Sequence, residues 1–217
     1  MTSPIAPRWA NQDTYAESIE SAADAAGVPR EIAYGLIAQE SGFVATAVRA
    51  EPSYVCNLTG TTGDASYGLT QLLYCTALGL GYGGDQTGLF DPSTNLSLGL
   101  SYVGQLISSH GGDVSAALSA YNGGDRPSLG YGTRLPSGQF ANESYVDNVL
   151  NNAAYFASYL AARDAAATGT TMDSTTDAGT SDATDGSTSS GSTGAILGGA
   201  AAIALLATIV LRRLRNH

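Results

Sequence analysis

The 217-residue sequence contains no lysine: its nine basic residues are all arginines, set against nineteen acids for a net charge of −10. An acidic surface without a basic stripe repels phosphate, which excludes nucleic acid as a partner held by charge neutralisation. Cysteine is nearly as scarce. Cys56 and Cys75 flank a Gly/Thr-rich stretch, and their spacing fits neither a zinc ligand set nor a C-x-x-C redox pair. They read as two buried thiols in a reducing compartment, or as one loop-closing disulfide in an oxidising one. The two histidines, His110 beside glycines and His217 at the terminus, read as surface residues. Nothing calls for a metal or a cofactor. No segment sustains the period-two alternation of a half-buried strand, so the expected fold class is all-α.

What is absent also divides the chain. Residues 1 to 164 hold all four phenylalanines, the single tryptophan and all twelve tyrosines, enough aromatic payload for one well-cored domain. Residues 165–193 hold no aromatic and are a Gly/Ser/Thr/Asp tract, expected to be a disordered linker. Residues 194–211 carry no charge and precede the basic tail 212–217. At about 1.5 Å per residue that run makes roughly 27 Å of helix, close to the thickness of a bilayer core, and is expected to be a transmembrane anchor in contact with lipid. Gly194 and Gly198 give it a GxxxG spacing, a weak sign of helix pairing.

Within the first region, "DTYAESIESAADAAG" reads as a helix with Asp13 as its cap and Gly27 past its end. "PREIAYGLIAQES" follows, with Ile32, Leu36 and Glu40 one turn apart on the apolar stripe. Residues 44–65 read as loop. "LTQLLYCTALGL", "LSLGLSYVGQLISSHGG", "DVSAALSAYNGG" capped by Asp113, and a last helix capped by Asn142 complete the expected set.

Glu40 is the anomaly. A carboxylate at a helix C-terminus opposes the macrodipole, and on an apolar face it loses hydration; both raise its pKa. A carboxyl held neutral near pH 7 suits proton donation to a leaving oxygen. Taken alone, the segment favours a Glu40 that reaches past the helix end into water. Three further segments put polar and aromatic side chains beside glycines: "SYGLTQL", "ALSAYNGG" and "ESYVDNVL". Amides, hydroxyls and ring faces around one carboxyl are what sugar recognition requires.

In this order, Glu40-Ser41, Gly68-Leu69-Thr70-Gln71, Ala120-Tyr121-Asn122 and Tyr145-Val146 resemble the goose-type lysozyme superfamily of lytic transglycosylases, over roughly residues 15–160. Thr70 stands where that family has methionine, and Tyr74 where it has proline. The resemblance implies a lysozyme-like domain that cuts peptidoglycan glycan strands between MurNAc and GlcNAc, leaving 1,6-anhydro-MurNAc. Glu40 would be the acid and then the base, with Ser41 and Tyr145 orienting it. Gln71, Tyr121 and Asn122 would hold saccharide, and no cofactor would be needed. Asp64, in the loop before "SYGLTQ", is the candidate second carboxylate for a hydrolytic alternative. A decayed, glycan-binding module is a further one.

The opening "MTSPIAPRWANQ" lacks a basic region followed by an apolar run, so it does not read as a signal peptide. Together with the anchor this resembles virion-associated enzymes of phages with an internal membrane, tectivirus-like ones among them, in contact with other virion proteins. The alternative setting is a bacterial inner membrane, with the domain facing the wall.

Overall fold

The computed structural model describes residues 5–172. The expected linker beyond Met172, the transmembrane run 194–211 and the tail 212–217 lie outside the described residues. Among the described residues no helix is long and apolar enough to cross a membrane.

Among the described residues, six α-helices form the frame: α1 (Ala16–Ala26), α2 (Arg30–Glu40), α3 (Tyr74–Gly79), α4 (Pro92–Ser109), α5 (Val114–Gly123) and α6 (Glu143–Met172). One compact unit closes at Ala165. Helix α6 continues to Met172, so residues 165–172 are helical where a disordered linker was expected. Asp13 does not cap α1, which starts three residues later. Its carboxylate instead accepts a hydrogen bond from the Tyr159 hydroxyl, 2.6 Å away. Asp113 does cap α5, accepting from the Ala116 N–H, and Asp91 caps α4 through the Thr94 N–H, so that α4 starts at Pro92, ahead of the Leu96 at which the helix was expected.

The expected helix-rich frame is present, but the domain is not all-α. Strands β1 (Val48–Val55), β2 (Thr62–Tyr67) and β3 (Leu72–Leu73) form an antiparallel sheet in that order, with Val48 opposite Tyr67 and Tyr67 opposite Leu72. Almost every residue of β1 is exposed or half-buried on both faces. It therefore never needed the apolar alternation by which strands are recognised. The 69–73 part of the expected helix "LTQLLYCTALGL" is a turn and a short strand, and the helix begins only at Tyr74.

The core sits where α2 and α6 cross. Tyr34, Phe43 and Phe156 are fully buried, with ring centroids 4.9 Å (Tyr34–Phe156) and 5.7 Å (Phe43–Phe156) apart, and Trp9 stacks on Phe156 at 5.3 Å. The helices meet at Gly35. A Cβ there would lie 2.7 Å from the Val149 carbonyl oxygen and 2.8 Å from the Ala153 nitrogen, so only glycine permits the approach. Glu20 joins α1 to both helices, contacting Arg30 at 2.9 Å and Arg163 at 2.7 Å.

Candidate active site

Glu40 is the last residue of α2, and the close crossing at Gly35 brings α6 alongside it. From α6 the Tyr145 hydroxyl donates a 2.5 Å hydrogen bond to Glu40 Oε1. One side of Glu40 opens on a cleft; elsewhere protein surrounds the carboxyl. Burial raises its pKa to about 7, against the smaller opposing pull of the Tyr145 hydrogen bond and of the Arg49 charge. Near neutral pH the group is therefore divided between acid and carboxylate. It can give up a proton and take one back.

The turn 68–71 forms the next part of the wall. Gly68 has φ 71°, and a Cβ there would meet the Asn95 side chain at 2.5 Å and the Leu89 carbonyl oxygen at 2.6 Å. Asn95, buried on α4, satisfies the turn from beneath. Its Nδ2 donates to the carbonyls of Tyr67 (2.8 Å) and Leu89 (3.0 Å), and its Oδ1 accepts from Thr70 N (2.9 Å) and Thr70 Oγ1 (2.8 Å). Thr70, one of the two departures from the family pattern, is thus a fully buried partner of Asn95. Gly99 leaves room for it.

Ser41 does not reach Glu40. Its hydroxyl donates to the Leu69 carbonyl at 2.7 Å, with the Ile37 carbonyl at 3.3 Å, and so ties the end of α2 to the turn. Tyr121 likewise donates its hydroxyl to the Thr70 carbonyl at 2.8 Å, leaving only its ring for the cleft. Gln71 lines the cleft with its Nε2 donating to the Ala47 (3.1 Å) and Gly68 (3.0 Å) carbonyls, so the side-chain carbonyl is what it offers a ligand. Asn122 also lines it, and its Oδ1 accepts from Asn142 Nδ2 at 2.9 Å. The structure thus gathers Glu40, Gln71, Tyr121 and Asn122 around one cavity of about 590 Å³. Tyr145 and Ser41 support it from behind.

Asp64 takes another position. Its Oδ1 accepts from Ala65 N (2.7 Å) and its Oδ2 from Cys75 N (2.9 Å), bracing the first turn of α3, and it is not among the residues lining the cleft. Beside it Cys56 and Cys75 form a disulfide, which joins the end of the β1–β2 hairpin to α3. Arg49, Glu51, Tyr54 and Asn57, all on that hairpin, form the near wall. Sequence reasoning missed them because it read 44–65 as loop; the local signal was the Val48-Arg49-Ala50-Glu51 alternation, cut short by Pro52. Arg126, beyond α5, stands on the opposite side. It donates from Nε to the Gly123 carbonyl at 2.9 Å, and its guanidinium lies over the Tyr131 ring. Among the described residues, no three His, Cys, Asp or Glu side chains converge as metal ligands would.

The profile of the family described as "Transglycosylase SLT domain" matches residues 17–143, ending two residues before Tyr145. Among solved structures, the chain is similar to an inactive variant of the lytic transglycosylase Slt from Pseudomonas aeruginosa: TM-score 0.51, 21% identity, over 71% of this chain and 25% of that one. It is also similar to the 70-kDa soluble lytic transglycosylase from Escherichia coli (TM-score 0.51, 21% identity, 67% and 24%). A complex of the 70-kDa soluble lytic transglycosylase with bulgecin A gives TM-score 0.53 and 22% identity, over 67% and 24%. The chain thus spans about a quarter of the length of each. At these identities the likeness establishes a shared fold.

Proposed function

The chain belongs to the transglycosylase SLT domain family, and from that premise we propose that the protein is a peptidoglycan lytic transglycosylase acting on the bond between MurNAc and GlcNAc. Protonated Glu40 donates to the glycosidic oxygen. The substrate's own N-acetyl group stabilises the developing cation, and Glu40 then takes the proton from the C6 hydroxyl as the 1,6-anhydro ring closes. No water is consumed, so one carboxyl serves both steps. Tyr145 holds Glu40 in place, while Gln71 and Asn122 present an acceptor and donors to the sugar hydroxyl and N-acetyl groups, beside the ring of Tyr121.

The observation that carries this reading is a carboxyl with a pKa of about 7, hydrogen-bonded by Tyr145, at the edge of a cleft large enough for sugar rings. Mass spectrometry of the soluble products from purified sacculi, with Glu40→Gln alongside, tests it. Anhydro-muropeptides from the wild type only are expected. Reducing-end products would transfer the assignment to hydrolysis, and binding without products from either protein would make this a glycan-binding module.

We further propose that residues 194–211 anchor the enzyme in a bilayer, in a phage particle with an internal membrane, where it opens the wall locally during entry. The uncharged run followed by arginines supports the anchor. Detection in purified virions tests the setting; presence only in host membranes would refute delivery by a particle.

A further inference from the structure

Two of the charged residues lining the cleft stand on one strand, two positions apart. Arg49 and Glu51 belong to β1, where such a spacing places side chains on the same face, and Arg49 Nε donates to Glu51 Oε1 at 2.8 Å. Among the described residues, Glu51 is the only carboxyl besides Glu40 that lines this cleft. Its cross-strand neighbour Asp64 has both oxygens occupied by backbone N–H groups.

A mobile arginine beside a general acid is a hazard. A cation close to a carboxyl favours the carboxylate, and a carboxylate cannot donate the proton that the first step needs. Arg49 is long and largely exposed, with 61% of its side chain accessible, whereas Glu51 is half-buried. Released from Glu51, the guanidinium would have Glu40 as the one remaining carboxyl that lines the cleft among the described residues. We infer that Glu51 is a positioning residue for the reaction: it ties the Arg49 guanidinium to the sheet wall and so keeps that cation from pairing with Glu40. This rests on Glu40 being the proton donor.

The other groups around Glu40 do not duplicate the arrangement. Tyr145 from α6 and Tyr121 from α5 are phenols whose pKa values burial raises, so they stay neutral. Tyr102 from α4 is raised by burial too, and Tyr54 shares the β1 wall. Arg126, the other cation on the cleft, is fastened to the Gly123 carbonyl and the Tyr131 ring. Arg49 is thus the cleft cation whose anchor is a carboxylate, and whose release a single substitution achieves.

The test uses the full chain as wild type, Glu51→Gln, Arg49→Gln and the double variant. Two readouts are taken: the pH dependence of turnover on purified sacculi, and an NMR titration of the isotope-labelled Glu40 carboxyl carbon, which needs no activity. Glu51→Gln is expected to lower the alkaline limb and the Glu40 midpoint by roughly one pH unit, the low end for a carboxyl gaining a cationic neighbour. Arg49→Gln should raise both. With Arg49 already replaced, the Glu51→Gln shift should fall below half its size. An unchanged midpoint in Glu51→Gln, or an equal shift with Arg49 absent, would overturn the inference. If the wild type cuts nothing while the midpoint still follows this pattern, the proposed activity fails and the tether stands.

Discussion

Replacing Glu40 by glutamine should make the protein more stable, and by an amount that depends on pH. Burial lifts the Glu40 pKa from an ordinary 4.5 to about 7, so the fold favours the neutral form. Its contribution to stability is complete below the unfolded value of 4.5 and is lost as pH rises through 7, because the folded state must then hold an ill-solvated carboxylate. The gap is about 2.5 pH units, which at about 1.36 kcal/mol each sets a ceiling of about 3.4 kcal/mol. Water on the cleft side trims that to about 2–3 kcal/mol. Glutamine matches the neutral acid in shape and still accepts from Tyr145, so it escapes this cost. For a domain of this size the melting temperature of Glu40→Gln should rise above wild type by roughly 5–10 °C near pH 8. Near pH 4 the two should nearly coincide. Calorimetry or circular dichroism melts of both proteins across that range would decide it. A gap that does not vary with pH would refute the buried neutral acid.

Four other outcomes follow from the same geometry. Tyr145→Phe removes a donor that favours the carboxylate, so the alkaline limb of the pH-rate profile should move up by about 1–2 pH units, with a fall in kcat; a downward move would contradict the hydrogen bond. Gly35→Ala puts a methyl against backbone atoms of α6 and should cost about 1–3 kcal/mol in denaturant melts, with turnover falling further than stability alone explains. Asp64→Asn should cost about 1–2 kcal/mol through its backbone N–H partners, and the anhydro product should persist; a loss of reducing-end product on this substitution would instead restore Asp64 as the water-activating carboxylate. Glu20 has its carboxyl held below 4.5 by Arg163 and Arg30 despite the opposing effect of burial. The stability it contributes is present above 4.5 and lost as pH falls through its lowered value, so Glu20→Gln should destabilise at neutral pH and converge with wild type in acid, read by the same melts.

The sequence revealed the parts of this protein that obey local rules. Asp113 caps the helix it precedes, Gly27 ends α1 in the left-handed conformation, and the stripe through Ile32, Leu36 and Glu40 put the carboxyl at a helix end on an apolar face. What stayed hidden depends on tertiary partners. Asp13 looks like a cap, but Tyr159, far along the chain, claims it. Ser41 and Tyr121 sit in sugar-site motifs, yet their hydroxyls go to the carbonyls of Leu69 and Thr70. No pattern in one dimension says which acceptor a hydroxyl will meet. The hairpin was missed for a different reason: a strand exposed on both faces has little burial to encode.

That hairpin gives the cleft two walls with unlike foundations. Glu40 and Tyr145 stand on helices joined through the aromatic core, where a single added methyl is felt. Arg49, Glu51, Tyr54 and Asn57 stand on an exposed ribbon fastened to α3 by one covalent link. Substitutions that would unseat the helices beneath the acid leave the ribbon's own fold intact, provided the Cys56–Cys75 link to α3 remains. On the proposed function, the ribbon outside the Arg49–Glu51 pair can therefore vary without disturbing Glu40, and drift in glycan preference should be concentrated on one side of the cleft, at positions such as Tyr54 and Asn57.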